Sequence, residues 1–490
     1  MNGDFAQWDD EVRAAWAEEP PDDFVGEPAP VGALVASFFD RTGLLTDAVA
    51  RDVMTRGPIM YGPDGTFWFY RRGVYRPDAN RLEITTRIAR ALGDRFRKRH
   101  AEDVREYLST LVPLISAEPV SRYINMESGM LDWQADPAPV LHPHGPEIAS
   151  TVQLPVAWAT DAVCPAFEAF LADVLHADDI PRMWEIIGYA MLSGNPLQRA
   201  FMLTGSGLNG KGALLRTVQA LIGRGNYSSV SLHDLSGDRF AAADLHGKLA
   251  NICGDIDATY IESTGLFKQV TGNDTIRAQR KYGQAFEFEP WCSFFFSANE
   301  IPRSSDSSSG WSRRFEVIDF AKTVRKDPTV EPAMQSPESL RGIAVRAVSA
   351  LRDLMARGDF TVTASGAAAK TQFEMQSNPV RRWLSDCTFP SDDGWCSRAE
   401  LWESYKKWEV EERLRAVGRK VFYTRLRQLE ASVHIWERSA RVAGESVRGF
   451  GGLLLNEHAH RGSWEPPAAD EEPPDDSASP PPMLPGLDLQ

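Results

Sequence analysis

The sequence has no apolar run approaching the roughly 18 residues that a membrane-spanning helix needs, so a bundle of such helices is excluded. Its five cysteines, at 164, 253, 292, 387 and 396, include no C-x-x-C, and neither a disulfide framework nor a zinc ribbon is expected. The N-terminus, MNGDFAQWDDEV, is acidic where a secretory signal would be basic and then apolar. A cytoplasmic protein with no membrane partner is the expectation. His142 and His144 in HPHGP have no further Cys or His at ligand spacing, and read as a loop rather than a metal pair.

Basic residues are scarce at both ends. Residues 1–30 hold nine acids and one Arg, and residues 463–490 hold seven acids and no base. These two stretches carry the whole net charge of −15, because the 52 bases between them balance 52 acids. Local basic patches in the body can therefore meet phosphate without an acidic background. Both tails are rich in Pro, Asp and Glu and are expected to be disordered and solubilising, with docking to a partner as the alternative. The 43% hydrophobic content of 490 residues is ample for two to four cores between them.

What is present is concentrated in residues 199–320. An apolar run, Ala200 to Leu203, leads into Gly205, four residues, Gly210 and Lys211. This is the spacing of a phosphate-binding loop between a strand and a helix. Leu214, Leu215, Val218 and Leu221 follow at helical intervals. The nucleotide-binding set is Gly205, Ser206, Gly207, Leu208, Asn209, Gly210, Lys211, Gly212 and Ala213. Gly212 stands where the pattern wants a Ser or Thr hydroxyl for Mg²⁺, which leaves water or Thr204 to substitute. A second apolar strand, LANIC, ends in Gly254, Asp255, Ile256 and Asp257, acids suited to holding Mg²⁺ and polarising water. A third, Ser293 to Ala298, ends in Asn299, which is suited to orienting that water. Arg313 and Arg314 follow in SRRF as cations that a neighbouring subunit's nucleotide could use. Taken singly, acids and Asn at strand ends are ordinary turn residues, and paired arginines are usually solvated; their order carries the reading.

The blocks LHGKLANICGDID, FKQVTGNDTIRAQRKYGQAFEFEP, SFFFSANEIP and GWSRRFEVIDF resemble the phage and plasmid branch of the superfamily 3 helicases, the helicase part of satellite-phage and poxvirus primase-helicases. The resemblance covers roughly residues 60 to 450. It implies that Lys211 is the Walker A lysine, Asp255 the first Walker B acid and metal ligand with Asp257 close by, Asn299 the sensor, and Arg313 or Arg314 the arginine finger. It also implies a hairpin gripping single-stranded DNA through Arg277, Arg280 and Lys281, with Tyr282 as a stacking platform. ATP and Mg²⁺ are the implied cofactors, and a homo-oligomeric ring, six subunits in the family, is the implied assembly.

Around this core, residues 1–55 form the first acidic tail and 56–180 a mainly helical domain of the type that helps such rings assemble. Within it GTFWFYRRGVYRPD reads as a hairpin. Arg95, Arg97, Lys98, Arg99 and His100 cluster on an amphipathic helix and read as a solvated face, with DNA contact as the alternative. The helicase core spans 181–330, a helical lid or linker 331–379, a winged helix 380–460, and the second acidic tail 461–490. RAELWESYKKWEVEERL and GRKVFYTRLRQLEAS read as helices, and HIWERSAR and VRGFGGLLL as a two-stranded wing. Arg419, Lys420, Arg425 and Arg427 on the helix, with Arg438, Arg441 and Arg448 on the wing, are the DNA candidates. The expected fold class is thus α/β: an AAA+-like P-loop ATPase core with a helical N-terminal domain and a C-terminal winged helix. With only a tail ahead of residue 56, a priming domain is not expected, and priming would fall to a separate primase or replication protein.

Two functions of different class follow. One is an ATP-driven DNA helicase of phage or plasmid replication, acting on single-stranded and forked DNA, 3′ to 5′ by resemblance. The other is a weakly or non-hydrolysing origin-binding initiator, a nucleotide-dependent clamp left by the missing hydroxyl at Gly212.

Overall fold

Buried apolar runs set the architecture in the computed structural model, which describes residues 33–456 except 116–120, 258, 282–284, 303, 305, 307–308, 324–326 and 413–416. Most of both acidic tails, and Tyr282, lie outside the described residues. The chain divides into two compact units, Met1–Ser377 and Asn378–Gln490.

After a short helix at Ala33–Ser37, the first unit continues with α1 (Thr46–Thr55), whose buried residues place it in a core where a disordered tail to residue 55 was expected. Then come β1 (Ile59–Tyr61), β2 (Phe67–Arg71), β3 (Val74–Pro77), α2 (Leu82–Leu92) and α3 (Lys98–Leu111). Val49, Val53, Ile84, Ile88, Val104 and Leu108 of the three helices close on Phe67 and Phe69 in one core. Next come β4 (Tyr123–Met126), β5 (Gly129–Asp132) and β6 (Val140–His142). Each set of three strands forms its own antiparallel sheet, so the segment expected to be mainly helical has substantial β structure. The FWFY run of β2 is buried throughout.

Beyond α4 (Pro165–Val174) and α5 (Asp179–Met191) lies the central sheet. It contains β7 (Ala200–Thr204), β8 (Tyr227–Ser228), β9 (Ala250–Cys253), β12 (Ser293–Ala298) and β13 (Phe315–Asp319) in the order β13–β7–β12–β9–β8, all parallel. Phe201, Leu203, Ile252 and Phe295 face one core, and Met202, Phe294, Phe296 and Val317 the other. Burial on both faces is why these strands read as continuous apolar runs. Helix α6 (Lys211–Ile222) follows β7 directly, and α7 (Gly265–Thr271) with the hairpin β10 (Ile276–Gln279) and β11 (Ala285–Phe288) precedes β12.

Helices α8 (Val330–Met334), α9 (Pro337–Arg357) and α10 (Ala364–Ser377) complete the unit. Ala344, Ala347, Val348 and Leu351 of α9 share a core with Ile186, Ile187, Ala190 and Met191 of α5. The helices approach so closely that a Cβ on Gly188 would lie 2.3 Å from the Ala347 carbonyl oxygen.

The second unit contains α11 (Pro379–Cys387), β14 (Thr388–Ser397), α12 (Arg398–Glu411), α13 (Arg419–Gln428), β15 (Trp436–Val442) and β16 (Glu445–Leu455). Ser397 and Glu400 form a reciprocal capping box that starts α12. Trp383, Leu401, Tyr405, Phe422, Leu426 and Phe450 build its core. The sheet has three antiparallel strands, in the order β14–β16–β15, where a two-stranded wing was expected. β14 is hard to see in sequence because TFPSDDGWCS has no alternation, and its register shifts between Pro390 and Trp395.

The five cysteines are free thiols, and burial pushes those of Cys164, Cys292 and Cys396 up to about 12. They act as small core residues. No helix among the described residues is long and apolar enough to cross a membrane.

Gly188→Ala is expected to force α5 and α9 apart and cost about 1–3 kcal/mol, the range for overpacking a core. The control is Gly265→Ala, whose added methyl meets only the Ser263 hydroxyl at 3.8 Å. Chemical denaturation of the two variants checks this, with the control within about 0.5 kcal/mol of the parent.

Candidate nucleotide site

The C-terminal ends of β7, β9 and β12 lie side by side in the parallel sheet, so their loops converge at one edge, the usual ligand position in open α/β sheets. After β7 the backbone turns through positive φ at Gly205 (136°), Gly207 (22°), Leu208 (52°) and Gly210 (90°) before α6 begins. Glycine is required at two of these. A Cβ on Gly205 would sit 2.5 Å from the Phe320 carbonyl oxygen, and one on Gly210 would sit 2.7 Å from Val174. Asn209 ties the turn to the sheet, its buried Nδ2 donating to the Phe320 carbonyl at 2.9 Å.

Lys211 is the first residue of α6 and is 6% exposed. Its ammonium donates to the Gly205 carbonyl (2.5 Å), Asn209 Oδ1 (3.1 Å) and Asn299 Oδ1 (3.1 Å). Burial holds its pKa below the usual lysine value, with Asp255 and Asp319 opposing. Among the described residues no carboxylate makes an ion pair with it. A desolvated cation held by neutral oxygens beside a helix N-terminus is poised for an anion.

Asn299, at the end of β12, joins the three loops. Its Oδ1 accepts from Lys211 and from the Gly207 N–H (3.4 Å), and its Nδ2 donates to Asp255 Oδ1 (3.4 Å). Asp255 has φ +60°, a conformation Asp tolerates better than most residues. Its N–H donates to Ser297 Oγ at 3.1 Å, and the Ile256 N–H to the Ser297 carbonyl at 2.9 Å.

A cavity of about 940 Å³ opens over these groups. Its polar floor is Gly207–Ala213, Asp255, Ser297 and Asn299, and its apolar wall includes Phe170, Val174, Pro328, Pro332 and Met334. Asp257 is exposed and is not among the residues lining it. Thr204 is not among them either, and its hydroxyl donates to the Ile318 carbonyl at 3.4 Å, so it is no substitute for a loop hydroxyl. Across the cavity Arg216 makes a bidentate pair with Glu331 (2.5 and 2.7 Å). A Cβ at Gly212 would lie 3.1 Å from Arg216 Nη1. Sequence reasoning missed the Arg216–Glu331 pair, since no motif joins residues so far apart.

The donor set fits a triphosphate: successive turn N–H groups, a helix start and a buried ammonium. For a divalent ion it supplies the Asp255 carboxylate but no hydroxyl at position 212, directly after the lysine. That fits Mg²⁺ only in the mode that keeps waters and leans on substrate phosphates. No cluster of three or more His, Cys, Asp or Glu that could hold a metal occurs among the described residues.

Arg313 and Arg314 lie apart from this cavity, on a depression of about 260 Å³ shared with Arg199 and Asp359. They are not alike. Arg314 is 9% exposed and donates to Thr271 Oγ1 (2.8 Å), the Lys268 carbonyl (3.2 Å) and the Gly310 carbonyl. Burial, then the adjacent Arg313, keeps its pKa below the ordinary arginine value. It pins α7 in place. Arg313 is exposed.

The expected DNA contacts divide similarly. Arg277 is exposed on β10, opposite Glu287. Arg280 pairs with Asp64 (3.2 Å) and packs over the Phe286 ring, so it roots the hairpin against the β1–β2 turn. Lys281 is exposed at the tip. In the second unit, Arg419 and Lys420 are exposed at the start of α13 and Arg427 pairs with Glu437 (3.0 Å). Arg425 is 5% exposed and belongs to the core side, correcting its expected place on a DNA-facing surface. It follows Phe422 by three residues, one helical turn along the buried stripe. Arg438, Arg441 and Arg448 are exposed, but pairing of Ser439 with Arg448 and Arg441 with Ser446 puts the latter two arginines on the face opposite Arg438. His144 is a structural residue, bonded to Asn125 Oδ1 (3.0 Å) and the Met126 carbonyl (2.9 Å).

Comparison with known proteins finds two family matches. Residues 51–176 match the family described as D5 N terminal like, and residues 203–314 match a family of unknown function, DUF5906. A putative helicase of Acanthamoeba polyphaga mimivirus is 31% identical over 137 residues, 26% of this chain and 14% of the viral protein. The chain therefore spans a small part of that relative. Two structures of the NrS-1 C-terminal region align over 82% of this chain and 98% of theirs, at 13% and 11% identity with TM-scores of 0.46 and 0.47.

Arg314→Ala is expected to cost about 2–3 kcal/mol, since it leaves buried partners of a charged group unsatisfied. Arg313→Ala should stay within about 0.5 kcal/mol of the parent. Thermal and denaturant unfolding of both variants separates the pin from the exposed arginine.

Proposed function

From a phage-type superfamily 3 helicase-like chain, a resemblance that the D5-type and viral helicase matches bear out, we propose an ATP-dependent DNA helicase of phage or plasmid replication. The observation that carries this reading is the buried Lys211 ammonium, held by Asn209 and Asn299 in a glycine-built turn beside Asp255. The turn 205–210 is the phosphate-binding loop, and ATP lies along it with its base against Phe170, Val174 and Pro328. Lys211 leaves the Gly205 carbonyl for the β- and γ-phosphate oxygens and neutralises charge as it develops. Asn299 orients the attacking water and reports γ-phosphate occupancy to Asp255 and Lys211, both of which it already touches. Asp255 would hold Mg²⁺, which when bound would supply charge neutralisation for the phosphates.

The chain works as a ring, six subunits by family resemblance, moving 3′ to 5′ along one DNA strand in the host cytoplasm. Arg313, exposed where Arg314 is pinned, is the finger offered to the neighbouring subunit's nucleotide. Arg277 and Lys281 on the β10–β11 hairpin follow the strand, together with Tyr282. The second unit is read as a winged helix, with Arg419 and Lys420 opening the recognition helix and Arg441 and Arg448 on the same side of the wing, for duplex or forked DNA. A separate primase is the expected partner.

ATP hydrolysis by the purified chain, with and without single-stranded DNA, tests the motor. DNA is expected to stimulate turnover. Lys211→Ala should lower it about a hundredfold or more, and Arg313→Ala about a thousandfold while the protein stays folded. Wild-type turnover no higher than that of Lys211→Ala, with ATP still bound, would leave the second reading, a nucleotide-dependent clamp at an origin. That reading is favoured by one feature, the absent hydroxyl at Gly212. Gly212→Ser brings its Cβ to 3.1 Å from Arg216 Nη1, a guanidinium that Glu331 also holds, and should raise turnover about tenfold at limiting Mg²⁺. Unchanged turnover in a magnesium titration would assign the ion to groups already present.

A further inference from the structure

The outer face of the sheet in the second unit is built around glycine. Register places Trp395 of β14, Gly451 of β16 and Trp436 of β15 in one row, and Ser397, Gly449 and Arg438 in the next. The row between them, Cys396, Phe450 and Glu437, has its Cys and Phe in the unit's core, so the tryptophans are on the side away from that core. Side chains alternate strictly between sheet faces.

Both indoles lie over the central strand. A Cβ on Gly449 would fall 2.5 Å from the Trp395 ring, and one on Gly451 would fall 2.6 Å from Trp436 Nε1. Trp395 reaches across β16 to donate its Nε1–H to the Arg438 carbonyl on β15 at 3.2 Å. The glycines of GFGG are thus explained by two indoles packed so close to the backbone that a Cβ would collide with them. Trp395 is buried, whereas Trp436 is 42% exposed, the one exposed tryptophan among the described residues. The ring packs against Gly451 and Gly452 and still leaves two-fifths of the residue exposed.

Charge on this face favours an anion. Glu437, at the root of the hairpin, points to the other side and is held by Arg398 and by Arg427. Arg438 is two residues from Trp436 on the outer face; on β15 and β16 the first carboxylate of that face is Glu445 at the turn, while β14 carries the exposed Asp392 and Asp393 where its register shifts. An exposed indole beside an arginine that makes no ion pair among the described residues matches a nucleobase attached to a phosphodiester.

We propose that Trp436 is a stacking platform for an unpaired DNA base, with Arg438 on the adjoining phosphate. The outer face of the wing thereby takes single strand, while Arg419, Lys420, Arg441 and Arg448 on the other side take duplex. This rests on the reading of the second unit as a DNA-binding module and adds the class of DNA that its outer face recognises. The two faces together would keep a fork's paired and unpaired arms apart.

The test is fluorescence anisotropy of the full chain against three labelled probes: oligothymidylate, a strand of equal length with abasic sites, and a blunt duplex. Wild type is expected to favour oligothymidylate over the abasic strand by about tenfold, within the range measured for loss of one base–aromatic stack. Trp436→Leu, which keeps an apolar cover on Gly451, should lose about tenfold on oligothymidylate and leave the abasic and duplex affinities unchanged. Trp436→Tyr should stay within about threefold of wild type. A Trp436→Leu chain that keeps the wild-type preference overturns the platform while leaving DNA binding intact. Equal losses on all three probes with a lowered melting temperature would make Trp436 a structural residue and also overturn it. Failure of wild type to bind any probe would remove the DNA-binding reading itself, and the platform with it.

Discussion

A lysine ammonium buried with no carboxylate partner among the described residues is the constraint on which the first unit depends. Lys211 sits at the start of a helix with carbonyl and amide oxygens as its partners, and charge in that setting is costly unless an anion arrives. Everything around it serves to hold that arrangement. β7 and α6 set the lysine's position, Gly205 and Gly210 allow the turn to close against Phe320 and Val174, and Asn209 locks the turn to the sheet. Asn299 then links the lysine to the neighbouring loop and to Asp255, so that two strand ends and one turn share a single hydrogen-bonded network.

The same economy of contacts separates residues that look equivalent in sequence. Adjacent arginines at 313 and 314 have opposite fates because β13 begins there: one side chain is drawn under α7 and the other is left outside. Arg280 differs from Lys281 because Asp64 of the N-terminal sheet claims it. In the second unit Glu437 gathers Arg398 and Arg427, which shifts the remaining exposed cations toward the start of α13 and the two faces of the hairpin. Counting bases in a stretch therefore overstates how many can meet phosphate.

Much of this was legible beforehand, for identifiable reasons. Parallel strands buried on both faces write themselves as apolar runs, and glycine spacing marks the turn, so β7, β9, β12 and the loop after β7 are found within a residue or so. Asp255 and Asn299 could be named because strand ends in such a sheet converge. The Arg216–Glu331 pair across the cavity could not, since its partners are brought together only by the packing of α8. The hairpin β2–β3 was legible in GTFWFYRRGVYRPD, whereas β1 and the sheet β4–β6 were hidden by brief strands, and β14 by its Pro, acidic pair and register shift. Arg425 was misplaced although its spacing from Phe422 and Leu426 gave the buried stripe of α13. The two tryptophans over Gly449 and Gly451 needed register, which sequence alone does not supply.

The most direct measurement is an experimental density map of the full chain with a non-hydrolysable ATP analogue and Mg²⁺. The account expects the triphosphate along residues 205–211, Lys211 Nζ turned from the Gly205 carbonyl to phosphate oxygen, Asn299 beside the γ-phosphate and the base against Phe170 and Pro328. A nucleotide bound elsewhere, with Lys211 still on Gly205, Asn209 and Asn299, would contradict it.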